Sequence, residues 1–566
     1  VKTDNVARRS KMIALRWKEG PGEAGGGGDP PGGQSGGVLA VGAGPVLLSL
    51  AESLFDTGLS KLHLLVTDAA PTDRQRLEQL LESARRTDPG AEAELELVQL
   101  ADKEDARNMW RESVRPFRHV LYVSQTGDAE ELRALHAVCR EERKMLLPAV
   151  CIGRTGVAGP LVHPDSGVCW ESAWRRIRCP VPDEGEDAQP CSEVAGAMLA
   201  NAIVHELWNT AMAEGETPAT NRLFMLDLDT LEGDWHAFAP HPLVARCPPA
   251  ELVRDPLYRP EGGAVAAEPE RLLRYFASLT SERTGIFHAW EEGDLLQLPL
   301  SQCRVQAADP LADGPAGLLP EMVCAAFTHL EARREAGLAG IEAYVSRLAG
   351  RLAATLPGCG ELLQADGASQ EPAIAIGAGE TFAEAVCRGL QTCLTERLKN
   401  GCPSHGMPSI RAARLGSIDD ERCRYYWEAL TALRGTPAAC LGEDVCGFPA
   451  VWIGTEGEWH CGVDANVTLA LRRALLHALR QAQNRAFDRA GGGSGLPLLR
   501  PEQHEPIRVP IPSVEQTTHT ETLRSAISIL ERNGKSLFVW AWPADPAFVG
   551  APVQVVATLL GEVVPQ

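Results

Sequence analysis

Between residues 38 and 68 the chain reads VLAVGAGPVLLSLAESLFDTGLSKLHLLVTD: a β-branched run, a Gly-Ala-Gly turn, an apolar-periodic stretch, and a second apolar run ending on aspartate. That order is a βαβ unit, which commits a chain to parallel strands covered by helices. After Pro45, residues Leu47, Leu50, Ala51 and Leu54 recur at i, i+3, i+4 and i+7, the stripe of a half-buried helix. LHLLVTD is unbroken in its apolar character, as a strand buried on both faces is. The rhythm continues with a predicted helix over 72–86, strands at ELELVQL, HVLYVS and LLPAVCIG, and a helix near 129–143. Residues 38–220 are expected to form an α/β domain, a parallel sheet with flanking helices.

The turn itself admits two readings. Gly42 and Gly44 allow a tight bend and close approach to a phosphate, and a helix N-terminus follows with free N–H groups. Asp68 ends the next strand, where a carboxylate reaches a ribose hydroxyl. Against this, Pro45 removes a backbone donor, and Leu47 and Leu48 bring bulk where a dinucleotide fold has its third glycine. The alternative is a plain strand–helix corner.

The remainder bounds the function. At 566 residues the chain has room for two to four domains of about 100–200 residues each. A formal charge of −21 excludes a phosphate-backbone partner, hence nucleic acid, and suits a basic peptide or simple solubility. No apolar run approaches the roughly 20 residues a bilayer needs, and no signal peptide is evident, so a cytoplasmic protein without membrane contact is expected. The 16 cysteines are scattered with no C-x-x-C pair, which reads as buried small apolar residues rather than a metal site. Residues 1–37 are Gly/Pro-rich and read as a disordered tether; a second Gly-rich insert, near 491–496, reads as flexible. From about residue 222 the pattern changes. RLFMLDLDTLEGDWHAF reads as a hairpin, and Ala-rich amphipathic helices are predicted over 328–348, 381–398 and 467–485, with strands PAIAIG and FPAVWIG between them. Residues 221–566 are therefore expected to be a second, mixed α/β domain.

Two further groups of residues sketch chemistry. GPLVHPDSGVCWESAWRRI holds His163, Asp165, Ser166, Cys169 and Glu171, the ingredients of a hydrolytic or thiol site with no geometry to fix them; Trp170 and Trp174 read as a packing face. The late helices carry Glu331, Glu335, Glu342 and Glu396, which serve either as Mg²⁺ ligands converging from separate helices or as solvated partners of neighbouring cations.

Taken in order, GAGPVLLSLAESLFDTGLSKLHLLVTD, LYVSQTGD, HPDSGVCWESAWRRI, MLANAIVHELW, LDTLEGDWHAF, TGIFHAWEEGDLLQLPLSQCRVQAADPL and EARREAGLAGIEAYVSRL resemble the ThiF-like thiazole-containing bacteriocin maturation proteins over most of residues 38–485. The resemblance implies an auxiliary protein of azole peptide biosynthesis. Such proteins bind the leader of a precursor peptide and deliver it to a separate YcaO cyclodehydratase, which uses ATP to turn Cys, Ser and Thr side chains into heterocycles. Residues 38–220 are similar to a ThiF fold, with Asp68 at the ribose-binding aspartate and Arg74 in the Asp73-Arg74-Gln75 segment that follows it; the glycine-richer turn of active members and their zinc-binding cysteines are missing. Residues 221–566 are similar to a YcaO fold. Glu342 matches an ATP/Mg²⁺ carboxylate, Glu396 falls on the second glutamate helix, and Gln481 or Gln483 is kept on the third. Ala339 stands where a partner carboxylate belongs, Ala343 replaces an arginine, and His477 replaces a glutamate. Members carry a winged-helix leader-recognition element ahead of the ThiF-like part, and residues 1–37 do not read as one.

The resemblance and its departures together predict a non-catalytic adaptor with no catalytic residue, cofactor or metal, whose partners are the leader peptide and the YcaO enzyme. The competing expectation is an ATP-using enzyme acting through Gly42, Gly44, Asp68 and Arg74, or through Glu342, Glu396 and Gln481. A homodimeric scaffold is a third.

Overall fold

The computed structural model describes residues 37–57, 59, 61–87, 92–97, 103–125, 127–179, 191–212, 221–257, 269–352, 355–359, 374–401, 410–455, 458–484, 502–514 and 517–562. The tether before residue 37 and the Gly-rich insert at 491–496 lie outside them. The chain forms two compact units, Val1–Ala245 with Asp313–Ala316, and Arg246–Ala312 with Gly317–Gln566.

In the first unit the elements are β1 (Val38–Gly42), α1 (Gly44–Asp56), β2 (Lys61–Val66), α2 (Arg74–Thr87), β3 (Glu92–Leu97), α3 (Lys103–Val114), β4 (His119–Ser124), α4 (Ala129–Glu141), β5 (Met145–Ile152), β6 (Thr155–Ala158), α5 (Trp170–Arg176), α6 (Glu193–Met212), β7 (Arg222–Asp227) and β8 (Gly233–Ala237). One eight-stranded sheet runs β3-β2-β1-β4-β5-β6-β7-β8. It is parallel from β3 to β5 and antiparallel beyond. The order turns back between β1 and β4, the place where ligands bind in open α/β sheets.

The period of two in VLAV builds both cores. Val38 and Ala40 face Leu47, Leu50 and Leu54 of α1 and Leu199 and Ile203 of α6. Leu39 and Val41 face Trp110 and Val114 of α3 and Leu132 and Leu135 of α4. All five residues of β1 are buried, as a strand covered on both sides must be.

The hairpin at 222–237 corrects the sequence reading. The change of pattern near residue 222 places it in the second domain, yet β7 pairs with β6 from Thr155↔Asp227 to Ala158↔Phe224, and β8 pairs with β7. The hairpin completes the first sheet, so the first unit extends through Ala245. The switch from buried parallel strands to a half-exposed antiparallel edge explains the altered pattern without a domain boundary.

The second unit contains β9 (Glu251–Val253), α7 (Pro269–Leu279), β10 (Phe287–Glu291), β11 (Ser301–Ala307), β12 (Met322–Ala326), α8 (His329–Leu352), β13 (Ala375–Gly379), α9 (Phe382–Gly401), β14 (Arg411–Ile418), α10 (Glu421–Arg434), β15 (Ala438–Leu441), β16 (Ala450–Thr455), β17 (Glu458–Val463), α11 (Val467–Asn484), β18 (Glu502–Ile511), α12 (His519–Arg532), β19 (Lys535–Ala541) and β20 (Gln554–Glu562). Its three sheets are β10-β11-β12, β13-β20-β19-β9 and β17-β16-β15-β14-β18. The three Ala-rich stretches fold as helices α8, α9 and α11, with PAIAIG and FPAVWIG supplying β13 and β16. Alanine suits α11 because its face of Ala470, Leu471, Ala474, Leu475, Ala478 and Leu479 packs closely on Val451 and Ile453 of β16. Leu390 and Leu394 of α9 share a core with Ile529 and Leu530 of α12 and Leu560 of β20. The α/β class expected for both parts holds.

Candidate functional site

The glycine corner of the first unit is built as its sequence demands. Gly42 and Gly44 have φ of +153° and +71°. A Cβ on Gly42 would stand 2.3 Å from the Val123 carbonyl oxygen, so no other residue fits there. The backbone donor at the second glycine is already engaged. The Gly44 N–H donates to Thr72 Oγ1 at 2.7 Å, tying down the loop after β2. A Cβ on Gly44 would lie 3.2 Å from the Gln125 side chain, which fills the approach. The crevice lined by Ala43, Thr67, Tyr122, Gln125 and Glu131 encloses about 10 Å³, against the roughly 300 Å³ or more of a small-molecule site. Tyr122 Oη donates to Glu131 at 3.0 Å, and burial pushes the Glu131 carboxyl upward. Asp68 lies two residues past β2 and is exposed, and Arg74 opens α2, also exposed.

The residues of 159–177 go to separate local tasks. His163 Nδ1 accepts from the Asp165 N–H at 3.2 Å, Ser166 Oγ donates to the His163 carbonyl at 3.0 Å, and Asp165 pairs with Arg143. Cys169 is buried, 3.9 Å from His136 Nε2, and Glu171 takes Arg133 and Arg175. No nucleophile–base pair connects Ser166 or Cys169 to His163. Trp170 and Trp174 stack at 5.3 Å inside the core, the packing role their spacing suggests.

A denser arrangement lies in the second unit, where α8 and α9 face each other. Glu335 and Glu342, seven residues apart on α8, share one cation from α9. Arg388 donates from Nε to Glu342 Oε1 at 2.6 Å, from Nη2 to Glu342 Oε2 at 3.0 Å, and from Nη1 to Glu335 Oε2 at 2.5 Å. The Ala378 N–H adds a 3.0 Å bond to Glu342 Oε1. Beside this, Arg334 donates to both oxygens of Glu384 at 2.6 Å and to Glu380 at 3.0 Å. The cluster opens to solvent, with the side chains of Arg388 and Glu335 still 21% and 37% exposed. Enclosure by the surrounding protein pushes the Glu335 carboxyl up, and Arg388 and Arg334 more than reverse this, leaving its pKa lowered. Burial lowers the pKa of Arg388, and Glu342 and Glu335 outweigh burial, so the guanidinium stays charged.

Helix α11 contributes cations within electrostatic reach of this cluster. Arg473 pairs with Asp464 at 2.5 Å, and Arg480 donates to the Val323 carbonyl at 2.9 Å. His477 is reached by solvent, yet enclosure, then Arg480, Arg473 and His460, pull its imidazole down to about 4, so it is neutral near pH 7. Burial pushes the Cys324 thiol up to about 12, which leaves it protonated and a poor nucleophile.

Glu342, Glu396 and Gln481 each bind a different partner, and none bonds another. Glu396 pairs with exposed Lys399 at 3.0 Å, eight residues and about 12 Å along α9 from Arg388. Gln481 Nε2 donates to Glu458 at 3.1 Å, and Gln483 is spent on the backbone of Leu296 and Leu300. Arg388, Glu384 and Arg334 escaped the sequence reading; the signal available was the i, i+4 spacing of Glu384 and Arg388. Mg²⁺ beside a triphosphate needs carboxylate oxygens free to face it. Here those of Glu342 and Glu335 face a guanidinium, so the residues present do not fit that group. Among the described residues, no three His, Cys, Asp or Glu side chains are placed to hold a metal ion. Nor is any described helix long and apolar enough to cross a membrane.

No protein-family model matches the chain. No curated protein matches it either. Among solved structures the fold is similar to that of a heterocyclase in complex with substrate and cofactor, with a TM-score of 0.55 at 13% identity over 93% of this chain and 81% of that one. The heterocyclase TruD gives 0.48 at 13% identity, over 93% and 78%. E. coli MccB with MccA gives 0.29 at 12% identity, over 38% and 65%. The first of these likenesses shows that the described residues have a fold of the heterocyclase kind.

Proposed function

We propose that the chain is a non-catalytic adaptor in the maturation of thiazole- and oxazole-containing ribosomal peptides. It binds the precursor's leader, presents it to a separate ATP-dependent YcaO cyclodehydratase, or does both. The observation that carries this reading is Arg388, a built-in cation that takes both oxygens of Glu342, the carboxylate matched by resemblance to a nucleotide-metal ligand of catalytic members. The filled corner at Gly44 and Gln125 supports the same reading for the first unit. A heterocyclase of like fold holds a substrate, which supports a peptide partner for this chain. Isothermal titration of the full chain with the cognate leader and with the cognate cyclodehydratase tests it, and binding to at least one is expected. Binding to neither, or peptide-dependent ATP turnover by the purified chain alone, overturns it.

A further inference from the structure

One cavity of the first unit lies away from the sheet's switch point, and the proposed function leaves it without a role. It encloses about 540 Å³ on the face of the sheet where α3 packs. Its floor is His63 and Leu65 of β2, Glu94 and Glu96 of β3 form one wall, and Glu112 and Phe117 lie on the other. Register explains the shape. His63 pairs with Glu94 and Leu65 with Glu96, so these four side chains share a face. Helix α3 buries Trp110 and Val114 over the middle of the sheet and leaves the β3 margin open. Glu94 and Glu96 are 78% and 58% exposed.

The chemistry of this trough is selective. Three carboxylates and one lysine line it, a formal charge of −2. The His63 ring sits 3.1 Å from Glu96, within hydrogen-bond reach, and 3.4 Å from Glu94, so both carboxylates stand at the rim around it. The rings of His63 and Phe117 lie 5.3 Å apart and are tilted by 43°, so the Phe117 ring supplies the apolar surface beside the charges. A planar cation that pairs with carboxylates and stacks on a ring suits this combination better than a compact ammonium. Among the described residues β3 pairs only with β2 and forms the sheet's edge, where an extended chain can add as a further strand.

We propose that this trough is a docking site for an arginine-bearing extended peptide, its backbone along β3 and a guanidinium between Glu94, Glu96 and the Phe117 ring. The proposal rests on the peptide-binding reading above and names the place and chemistry of recognition. The test uses the full chain and a labelled peptide alternating Arg and Thr, followed by fluorescence anisotropy. Binding is expected to weaken as salt rises, by about tenfold in the Glu94→Gln/Glu96→Gln variant, and by a similar factor when citrulline replaces arginine. Both substituted side chains are exposed, and unchanged circular dichroism and Tm would show that the variant folds. Absence of binding, or equal binding by the variant or the citrulline peptide, overturns the proposal. The same variant separates the two readings: if the cognate leader binds it as tightly as the parent chain, the trough is refuted and the adaptor stands. If the leader and the cyclodehydratase bind neither protein, the adaptor fails as well.

Discussion

Arg388 and Glu342 form a two-bonded ion pair across α8 and α9, Nε to Oε1 at 2.6 Å and Nη2 to Oε2 at 3.0 Å, and the same guanidinium reaches Glu335 at 2.5 Å. One cation therefore bridges two carboxylates in a crowded cleft. Desolvating charges is costly, and such a cluster is stable only while it is complete.

Removing the cation is the sharpest probe of this arrangement. Arg388→Ala leaves Glu335 and Glu342 without their shared partner and is expected to destabilise the fold by about 3 kcal/mol. It also frees carboxylate oxygens of the kind a hard divalent ion takes. Millimolar Mg²⁺ or Mn²⁺ should then raise the Tm of the variant and leave the parent chain unmoved. A variant as stable as the parent, or indifferent to the ions, would show that Arg388 is not the counter-ion of this pair.

The glycine corner makes a steric prediction independent of any ligand. Gly42→Ala places a methyl group 2.3 Å from the Val123 carbonyl oxygen, at a φ of +153° that side chains avoid. Strand β4 has to move or the turn has to refold, at a cost of about 3 kcal/mol. Chemical denaturation measures it. A loss under 1 kcal/mol would mean that the corner is more compliant than its buried neighbours imply.

These two sites also mark how far the sequence was legible. The corner was readable because its cause is local: a Gly-Ala-Gly turn between apolar runs has few conformations. The three helices were readable from periodicity for the same reason. The hairpin at 222–237 was recognised but misplaced, since its attachment depends on the pairing of β6 with β7, far apart in sequence. Arg388 was missed altogether. Spacing shows that Glu335 and Glu342 share a face of α8, but not that a cation from α9 stands opposite. A resemblance drawn residue by residue directs attention to retained and lost carboxylates rather than to the arginine that takes up their charge.

Acid should weaken the first unit, and the sign follows from its buried histidines. Burial lowers His119 and His136 to about 4 and His241 to about 2, with Arg118, Arg140 and Arg176 adding to it in turn. In the unfolded chain these rings titrate near 6.5, so between there and pH 4 the unfolded state binds more protons. Stability is fully present above about pH 6.5 and falls as the pH drops through that window. For His136 alone the shift is worth about 3 kcal/mol at most. Denaturation midpoints at pH 7.5 and 5.0 should differ less in His136→Gln than in the parent; an unchanged difference would remove His136 from this account.

Glu384 and Glu396 lie twelve residues apart on α9 and give opposite predictions. Glu384 is nearly inaccessible, its side chain 4% exposed, and holds Arg334 through both oxygens. Glu384→Gln keeps the shape and removes the charge, leaving a half-buried guanidinium short of a partner, for an expected loss of about 3 kcal/mol. Glu396 is 43% exposed and pairs with an exposed lysine, an arrangement that solvent and salt screen. Glu396→Ala should cost less than about 0.5 kcal/mol and leave partner binding intact. Thermal melts of the two variants compare them directly. The reverse order, with Glu396 the costlier, would mean that the position matched by resemblance matters more than the one held by geometry, and would return Glu396 to consideration as a ligand-binding residue.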